Sequence, residues 1–378
     1  MTDDPIAGSR YTSAKRILFL GAPDSPHSER WIRFLQGRGH DVHVATIHKI
    51  PDWARPISTP LRGSGDEIHP GGLGDLPEAV RRLRPLVREF RPDATIAYYL
   101  TSYGLFAALA KAPNTFGATA GGDILEDPWD SWSRRIRNRL ILAVALRHPK
   151  GFLAWADHVG ARLVSLGIPR DRILVRARGV NLERFHGRRA APGGSDGNVA
   201  RILSIRWFKR LYDVATLIRA LGILKAEGVR FHATVAGEGP EEANLRALAA
   251  ELGLGDTVEF PGKLTEDGVV TELSRHEIYV STSTTDGASS SLFEALAMGC
   301  YPVVTDIPAN QEFLRDPKRG RLFPAMDADA LAAALRDAIR ETTSGSDAAE
   351  RNRAFAAEHL DFAKNMKEIE AFVLGAAK

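Results

Sequence analysis

Short apolar runs alternate with amphipathic segments along nearly the whole chain, and this rhythm constrains the fold more than any other feature. Arg16-Ile17-Leu18-Phe19-Leu20-Gly21 reads as a buried strand, 27–37 as a helix stopping near Gly37 and Gly39, and 42–46 as the next strand. Helix 76–90, strand 94–98, helix 103–111, strand 115–119 and helix 134–146 continue it. Strands this apolar, each followed by a helix, predict a parallel sheet covered on both faces. The rhythm breaks at 187–198, where Pro192, Gly193, Gly194, Ser195, Asp196 and Gly197 gather, and resumes with strand 200–205. Helix 213–226, strand 230–236, helix 240–252, strand 257–260, helix 265–274 and strand 277–281 follow, then helix 291–298, strand 301–304 and helices 308–315 and 327–342. Two α/β domains are expected, 1–186 and 187–350, divided at the composition break. The length of 378 residues, too great for one ordinary core, agrees.

Two stretches depart from the rhythm. Pro51, Pro56, Pro60 and Pro70 interrupt 50–75, which reads as a long surface loop. Residues 347–373 form a last helical region whose apolar positions, Phe355, Phe362, Met366, Ile369 and Phe372, require a packing partner. Apolar residues at 44% and charged residues at 26% suit a globular enzyme and exclude disorder as the main state. The single Cys300, beside Gly299 and an apolar strand, excludes an intrachain disulfide and a cysteine metal site and reads as a packing residue. Asp3, Asp4 and Pro5 do not resemble a signal peptide, and no apolar run approaches the roughly 18 residues of a membrane span, so the cytoplasm is the expected location.

The formal net charge is only +3, but Arg134, Arg135, Arg137, Arg139, Arg147, His148 and Lys150 crowd around the apolar run 140–146. Such a segment can rest on anionic lipid or hold phosphates; it can equally be a solvated face flanking a core helix. No aromatic-interleaved basic module or zinc pattern accompanies it, so nucleic acid is not an expected partner.

Several strand ends carry polar groups where open α/β sheets collect ligands. The first strand exits into Gly21-Ala22-Pro23-Asp24-Ser25-Pro26-His27, a turn into a helix N-terminus able to attract anions and hydroxyls. It lacks dinucleotide-fingerprint spacing and a phosphate-loop lysine, which disfavours nicotinamide or ATP. Ser25 and His27 are candidates for ligand contact or for capping the helix. Ala120-Gly121-Gly122-Asp123 ends another strand, with Asp123 open to an active-site or a capping role. Arg206-Trp207-Phe208-Lys209-Arg210 follows the strand that opens the second half. Val235-Ala236-Gly237-Glu238-Gly239-Pro240-Glu241 is a strand, glycine turn and helix start, and Phe260-Pro261-Gly262-Lys263-Leu264 is a further strand-end turn. Ser283-Thr284-Thr285-Asp286-Gly287-Ala288-Ser289-Ser290-Ser291-Leu292-Phe293-Glu294 runs from a polar loop into a short helix, with seven residues between its two carboxylates. Trp129, Trp132 and Trp155 are expected to pack rather than to stack on a ligand.

Taken in order, Gly179-Val180-Asn181 with Phe185, Arg206, Gly237-Glu238-Gly239-Pro240 and the Asp286/Glu294 pair resemble the family 4 glycosyltransferases. The resemblance covers almost the whole chain, and its specific part runs from about 178 to 315. It implies the GT-B fold: two Rossmann-like domains facing a central cleft, with the C-terminal helix, 351–378, crossing back to the first. It implies retaining transfer from a nucleoside-diphosphate sugar, a UDP-sugar favoured, to a glycan, glycolipid or small hydroxylated acceptor, without a tightly bound cofactor or a metal. In that frame Arg206, and Lys209 from the adjoining turn, neutralise the diphosphate, and amides at Ser289, Ser290 and Ser291 meet the β-phosphate. Asp286 and Glu294 accept from sugar and ribose hydroxyls, and Lys263 and Leu264 read the base edge. Gly237 and Gly239 admit the donor, Gly21 and Ser25 lie beside its phosphates, and Asp123 is an active-site carboxylate. Asn310 and Glu312 shape the donor pocket. The departures are Tyr212 where the family carries a second cation, Asp286 for the usual glutamate, Ser289 for a common glycine, and no histidine near Asp123. The basic segment 134–150 adds an expected peripheral association with an anionic membrane, at the inner face of the cytoplasmic membrane, and a monomer or homodimer completes the expectation. A sugar-nucleotide epimerase or hydrolase, and a catalytically eroded nucleotide-sugar-binding protein, are the alternatives.

Overall fold

A computed structural model describes residues 13–62, 76–125, 131–186, 199–344 and 346–375. The chain forms two α/β domains, unit 1 comprising Met1–Arg176 with Met366–Lys378 and unit 2 comprising Ala177–Asn365.

Unit 1 is built on a seven-stranded parallel sheet. In chain order it contains β1 (Arg16–Leu20), α1 (Pro26–Gly37), β2 (Asp41–Thr46), β3 (Ser58–Pro60), α2 (Leu76–Phe90), β4 (Ala94–Tyr98), α3 (Leu105–Ala110) and β5 (Thr115–Ala118). It continues with α4 (Trp132–Ala145), β6 (Gly151–Ala154), α5 (Asp157–Ser165) and β7 (Ile173–Val175). The strand order is β3-β2-β1-β4-β5-β6-β7. Ile17 to Leu20 are fully buried, as a central strand covered on both faces demands. One face closes on four aromatics in edge-to-face contact, Phe19, Trp31, Tyr98 and Trp155, with Phe19 and Trp31 centroids 5.4 Å apart.

Unit 2 contains β8 (Ala200–Ile205), α6 (Val214–Ala226), β9 (Phe231–Ala236), α7 (Glu242–Glu251), β10 (Val258–Glu259), α8 (Glu266–Arg275) and β11 (Ile278–Ser281). It continues through α9 (Ser290–Met298), β12 (Tyr301–Thr305), α10 (Pro308–Gln311), β13 (Arg321–Phe323), α11 (Ala328–Thr343) and α12 (Ala348–His359). The last helix, α13 (Phe362–Gly375), begins in unit 2 and ends in unit 1. The six-stranded parallel sheet has the order β10-β9-β8-β11-β12-β13.

The structure departs from the sequence reading in four places. Of the expected loop 50–75, residues 63–75 lie outside the described residues, and the described part holds a 3-10 turn, Asp52–Ile57, leading into β3, paired Val44 to Ser58 and ending at Pro60 on the sheet edge. An edge strand tolerates a residue without an N–H. Residues 150–175 yield β6, α5 and β7, strands of three and four residues that are too short for periodicity to reveal. The terminal helical region splits at Leu360 and Asp361, and the division between units falls at 176/177 rather than 186/187. One contact explains both: Val180 N donates to Leu360 O at 2.7 Å and Phe362 N to Val180 O at 3.1 Å. Gly179 stands against this junction with φ +81°, where a Cβ would lie 2.4 Å from Leu360 O. The glycine-rich break therefore lies inside unit 2.

From Met366 onward α13 belongs to unit 1. Phe372 meets Phe116 at 5.8 Å. Glu370 is buried between Arg38, 3.1 Å away, and His40 Nε2 at 2.6 Å. His40 Nδ1 accepts from Lys15 N at 3.2 Å, which assigns the Nε2 proton to the carboxylate contact.

Candidate functional site

In unit 2 the chain order reverses between β8 and β11, and such a reversal opens a crevice at the carboxyl ends of the strands. Arg206 is the first residue past β8, its N–H still donating to Ala236 O at 3.0 Å, so the strand delivers this side chain to the reversal. Its Nε donates to Ser281 Oγ at 2.9 Å, one Nη to Ser289 Oγ at 2.6 Å, and the other lies 3.2 Å from Asp286 Oδ2. The side chains of Arg206 and Asp286 keep 10% and 18% of their exposure, so the pair reaches solvent without being surrounded by it. Burial disfavours the guanidinium charge, but Tyr279 and Asp286 outweigh it and hold the group protonated with a raised pKa. The ring of Tyr212 lies 5.4 Å from the Arg206 guanidinium carbon, occupying the place where the resemblance expects a second cation.

Hydroxyls shape the loop between β11 and α9. Thr282 Oγ1 donates to Tyr212 O at 2.8 Å, and the N–H and hydroxyl of Thr284 both donate to Leu211 O at 2.9 and 3.0 Å. Thr305 Oγ1 donates to Ser283 O at 2.6 Å. A run of small polar residues thus fixes a non-helical path that aims Asp286 at Arg206. Ser289 ends that path as the cap of α9, its Oγ accepting from Leu292 N at 3.3 Å while also accepting from Arg206. Tyr279 OH donates to Ser291 Oγ at 2.8 Å. Leu292, Phe293 and Leu296 anchor α9 in the core, and Gly299 closes it at φ +79°. The first turn of α9 therefore opens beside Arg206, with the positive end of its dipole and amides that have no partner four residues earlier. Glu294 is half-buried one turn further on.

The glycine turn holds the Arg206 segment from behind. A Cβ at Gly237 would lie 1.9 Å from Arg206 O, and one at Gly239 2.5 Å from Phe208 O. Both glycines have positive φ, +156° and +152°. Phe208 N donates to Glu238 O at 2.8 Å and Gly237 N to Gly262 O at 2.9 Å, which aligns the turns 206–208, 237–239 and 262–264. Lys263 is exposed, 3.2 Å from Glu238, and Leu264 is half-buried beside it. Lys209 does not join the Arg206 cluster: it is exposed, its Nζ 5.6 Å from the ring centroid of Trp207. Asn310 is buried and donates to Thr305 O at 2.8 Å, bracing the end of β12.

Unit 1 treats its candidates differently. Gly21 is buried at the end of β1, with its N–H 3.4 Å from Ala45 O. Ser25 occupies the N-cap of α1 without a side-chain capping bond, so it does not cap the helix. Asp123, 2% exposed, accepts from Leu100 N at 2.8 Å through Oδ2 and from Ala120 N at 2.9 Å through Oδ1. Burial raises its carboxyl pKa, against amide hydrogen bonds that lower it. The amide of Leu100 opens a π-turn, Leu100–Gly104, that follows Tyr99 at φ +90°. Asp123 thereby clamps the ends of β4 and β5. Trp155 packs in the core, but Trp132 is exposed, against the expectation that it packs; Trp129 lies outside the described residues.

Sequence reasoning missed Ser281, which holds the Nε of Arg206. Its signal was present in its place as the last residue of strand 277–281. It also missed the buried hydroxyl of Tyr103, 2.6 Å from His48 Nδ1 and 3.1 Å from Thr46 Oγ1, because helix spacing assigns Tyr103 only to a core face.

Residues 25–179 match the family model described as glycosyl transferase 4-like domain, and 189–355 match that of glycosyl transferases group 1. The chain is 32% identical over 192 residues to a putative colanic acid biosynthesis glycosyltransferase, WcaL, of Salmonella typhimurium, covering 49% of this chain and 46% of the relative. The chain thus spans under half the length of that relative. Among solved structures, sucrose-phosphate synthase of Thermosynechococcus elongatus has TM-score 0.82 at 16% identity, covering 96% of this chain and 100% of that one. Anabaena HepE in complex with UDP and glucose has TM-score 0.76 at 17% identity, with 96% and 100% covered. With two consecutive glycosyltransferase models matched along the chain and two Rossmann-like sheets, the protein belongs to the glycosyltransferases of GT-B fold.

Proposed function

We propose that the protein moves a sugar, with retention of anomeric configuration, from a nucleoside-diphosphate sugar to a hydroxyl acceptor. The observation that carries this reading is the Arg206 guanidinium at the β8/β11 reversal, held by Ser281 and Ser289 and paired with Asp286 beside the start of α9. Negative charge grows on the leaving diphosphate as the glycosidic bond breaks, and a fixed cation with oriented amides stabilises that charge selectively. The acceptor hydroxyl attacks the anomeric carbon from the face the diphosphate leaves. The departing phosphate oxygen takes the hydroxyl proton, so no protein base is required. Asp286 accepts hydrogen bonds from sugar hydroxyls and Glu294 from the ribose, while Lys263 and Leu264 meet the base. Lys209 swings from Trp207 to the phosphates when donor enters.

In this reading unit 2 carries the donor and unit 1 the acceptor. Asp123 acts as a positioning residue through Leu100 and Ala120 rather than on the sugar. UDP is the favoured nucleotide, supported by the UDP in the HepE complex, and a surface glycan or its lipid-linked precursor is the favoured acceptor class, supported by the name of WcaL. Thermal stabilisation across nucleoside diphosphates and their sugars tests it. Selective stabilisation by one nucleotide sugar, lost in Arg206→Ala, supports the assignment; stabilisation that survives the substitution removes Arg206 from the donor site. Donor binding without transfer to any hydroxyl acceptor would favour an eroded binding protein, for which Tyr212 in the place of a cation is the supporting observation.

A further inference from the structure

Helix α4 is unusual in what it leaves in water. Its inner face rests on Leu142 and Ala145, which are buried. On the outside Trp132, Ile136, Leu140 and Val144 recur every four residues and all are exposed, Trp132 at 75% and Leu140 at 66%. Each residue turns the helix by about 100°, so positions four apart drift by about 40° and these four side chains make one continuous stripe roughly 120° wide. Arg137 and Arg139 fall on its two shoulders, each about 80° from its centre line, and both are exposed. The stripe points away from Leu142 and Ala145, so it is not a core face whose cover is inside unit 1. Single exposed apolar residues need no explanation, but a contiguous stripe does.

The charge around it specifies the cover. From Ser131 to Lys150 the chain carries Arg134, Arg135, Arg137, Arg139, Arg147 and Lys150 and no carboxylate. An apolar stripe with tryptophan at one end and arginines along its margins matches an anionic lipid surface, where the side chains enter the acyl boundary and the cations meet phosphates. At 14 residues α4 is too short to span a bilayer, and no described helix is long and apolar enough to do so. We propose that α4 lies flat on an anionic membrane, with Trp132, Ile136, Leu140 and Val144 inserted and Arg137, Arg139, Arg147 and Lys150 at the headgroups. The inference goes beyond the donor chemistry and does not depend on it: it assigns the surface on which unit 1 works.

The test is sedimentation of the full chain with vesicles of phosphatidylcholine alone or mixed with phosphatidylglycerol. The expected result is pelleting with the anionic vesicles, weakened about tenfold by Ile136→Glu with Leu140→Glu and by raised salt. Both positions face solvent, so the variant should melt like wild type. Independently of any disruptive variant, brominated acyl chains should quench tryptophan fluorescence in wild type and much less in Trp132→Phe. Unchanged pelleting of the double variant, absence of pelleting on anionic vesicles, or equal quenching in Trp132→Phe would overturn the proposal. So would a dimer in lipid-free solution that the double variant dissolves, because a second copy would then cover the stripe. Nucleotide stabilisation measured on the same samples reports the donor site separately, so failure of either reading is seen without the other.

Discussion

At the β8/β11 reversal of unit 2, Arg206 and Asp286 face each other with part of each side chain still reaching solvent. At the β1/β4 reversal of unit 1, the strand ends carry Gly21 and the Tyr99 turn, and the nearby carboxylate of Asp123 is closed off by backbone amides. Unit 1 has another buried ion pair, Glu370 with Arg38, and the neutral ring of His40 closes on the same carboxylate. The same sheet topology offers a ligand position in both units. In unit 2 the charge pair at that position is left exchangeable, whereas Asp123 is committed to backbone amides, and this separates a binding charge from a scaffold charge.

The comparison breaks first if the scaffold charges prove dispensable. Glu370→Ala leaves Arg38 buried without its carboxylate and should cost about 3–5 kcal/mol of stability, read as a fall in urea midpoint. Arg206→Ala should weaken nucleoside-diphosphate binding about 100-fold, about 2.7 kcal/mol by calorimetry. A loss of stability with unchanged diphosphate affinity would make Arg206 a scaffold charge after all. Asp123→Asn presents an N–H₂ where the carboxylate accepted from a backbone amide and should cost about 1–3 kcal/mol, leaving diphosphate affinity within about twofold.

That carboxyl also has a pH signature. Its folded pKa is raised, so its contribution to stability is full below the unfolded value near 3.8 and declines as pH rises through the folded value. The stability gap between wild type and Asp123→Asn should therefore shrink with rising pH, and a gap that widens would contradict the burial account. The smallest expected effect is Lys209→Ala, a drop in diphosphate affinity of about fivefold or less, about 1 kcal/mol. A larger drop would bring the lysine fully onto the phosphates.

The sequence made much of this legible, for identifiable reasons. Strands such as 16–20 and 200–205 are long and apolar enough for their period to be read, and Arg206 announced itself as the residue following one of them. The Asp286 loop was marked by its run of small hydroxyl residues, although the bond from Arg206 to Ser281 needs two strands adjacent in space and far apart in sequence. The short strands β3, β6 and β7 carry too few residues to show a period, and the early boundary at 176/177 depends on a pairing with Leu360 that no local pattern encodes. Asp123 was found as a polar strand-end residue, but whether such a carboxylate faces ligand or backbone is decided by tertiary packing. The outer stripe of α4 was hidden because an apolar period does not say which side is covered.

The path of α13 has a consequence for how the protein is made. Glu370 and Phe372 complete the interior of unit 1, yet the ribosome delivers them only after the whole of unit 2. Unit 2 can close as soon as its own residues emerge, whereas the first-made sheet must wait with Arg38 and Phe116 uncovered. A released chain truncated before Met366 should be cut by protease within residues 16–176, where the full chain is protected.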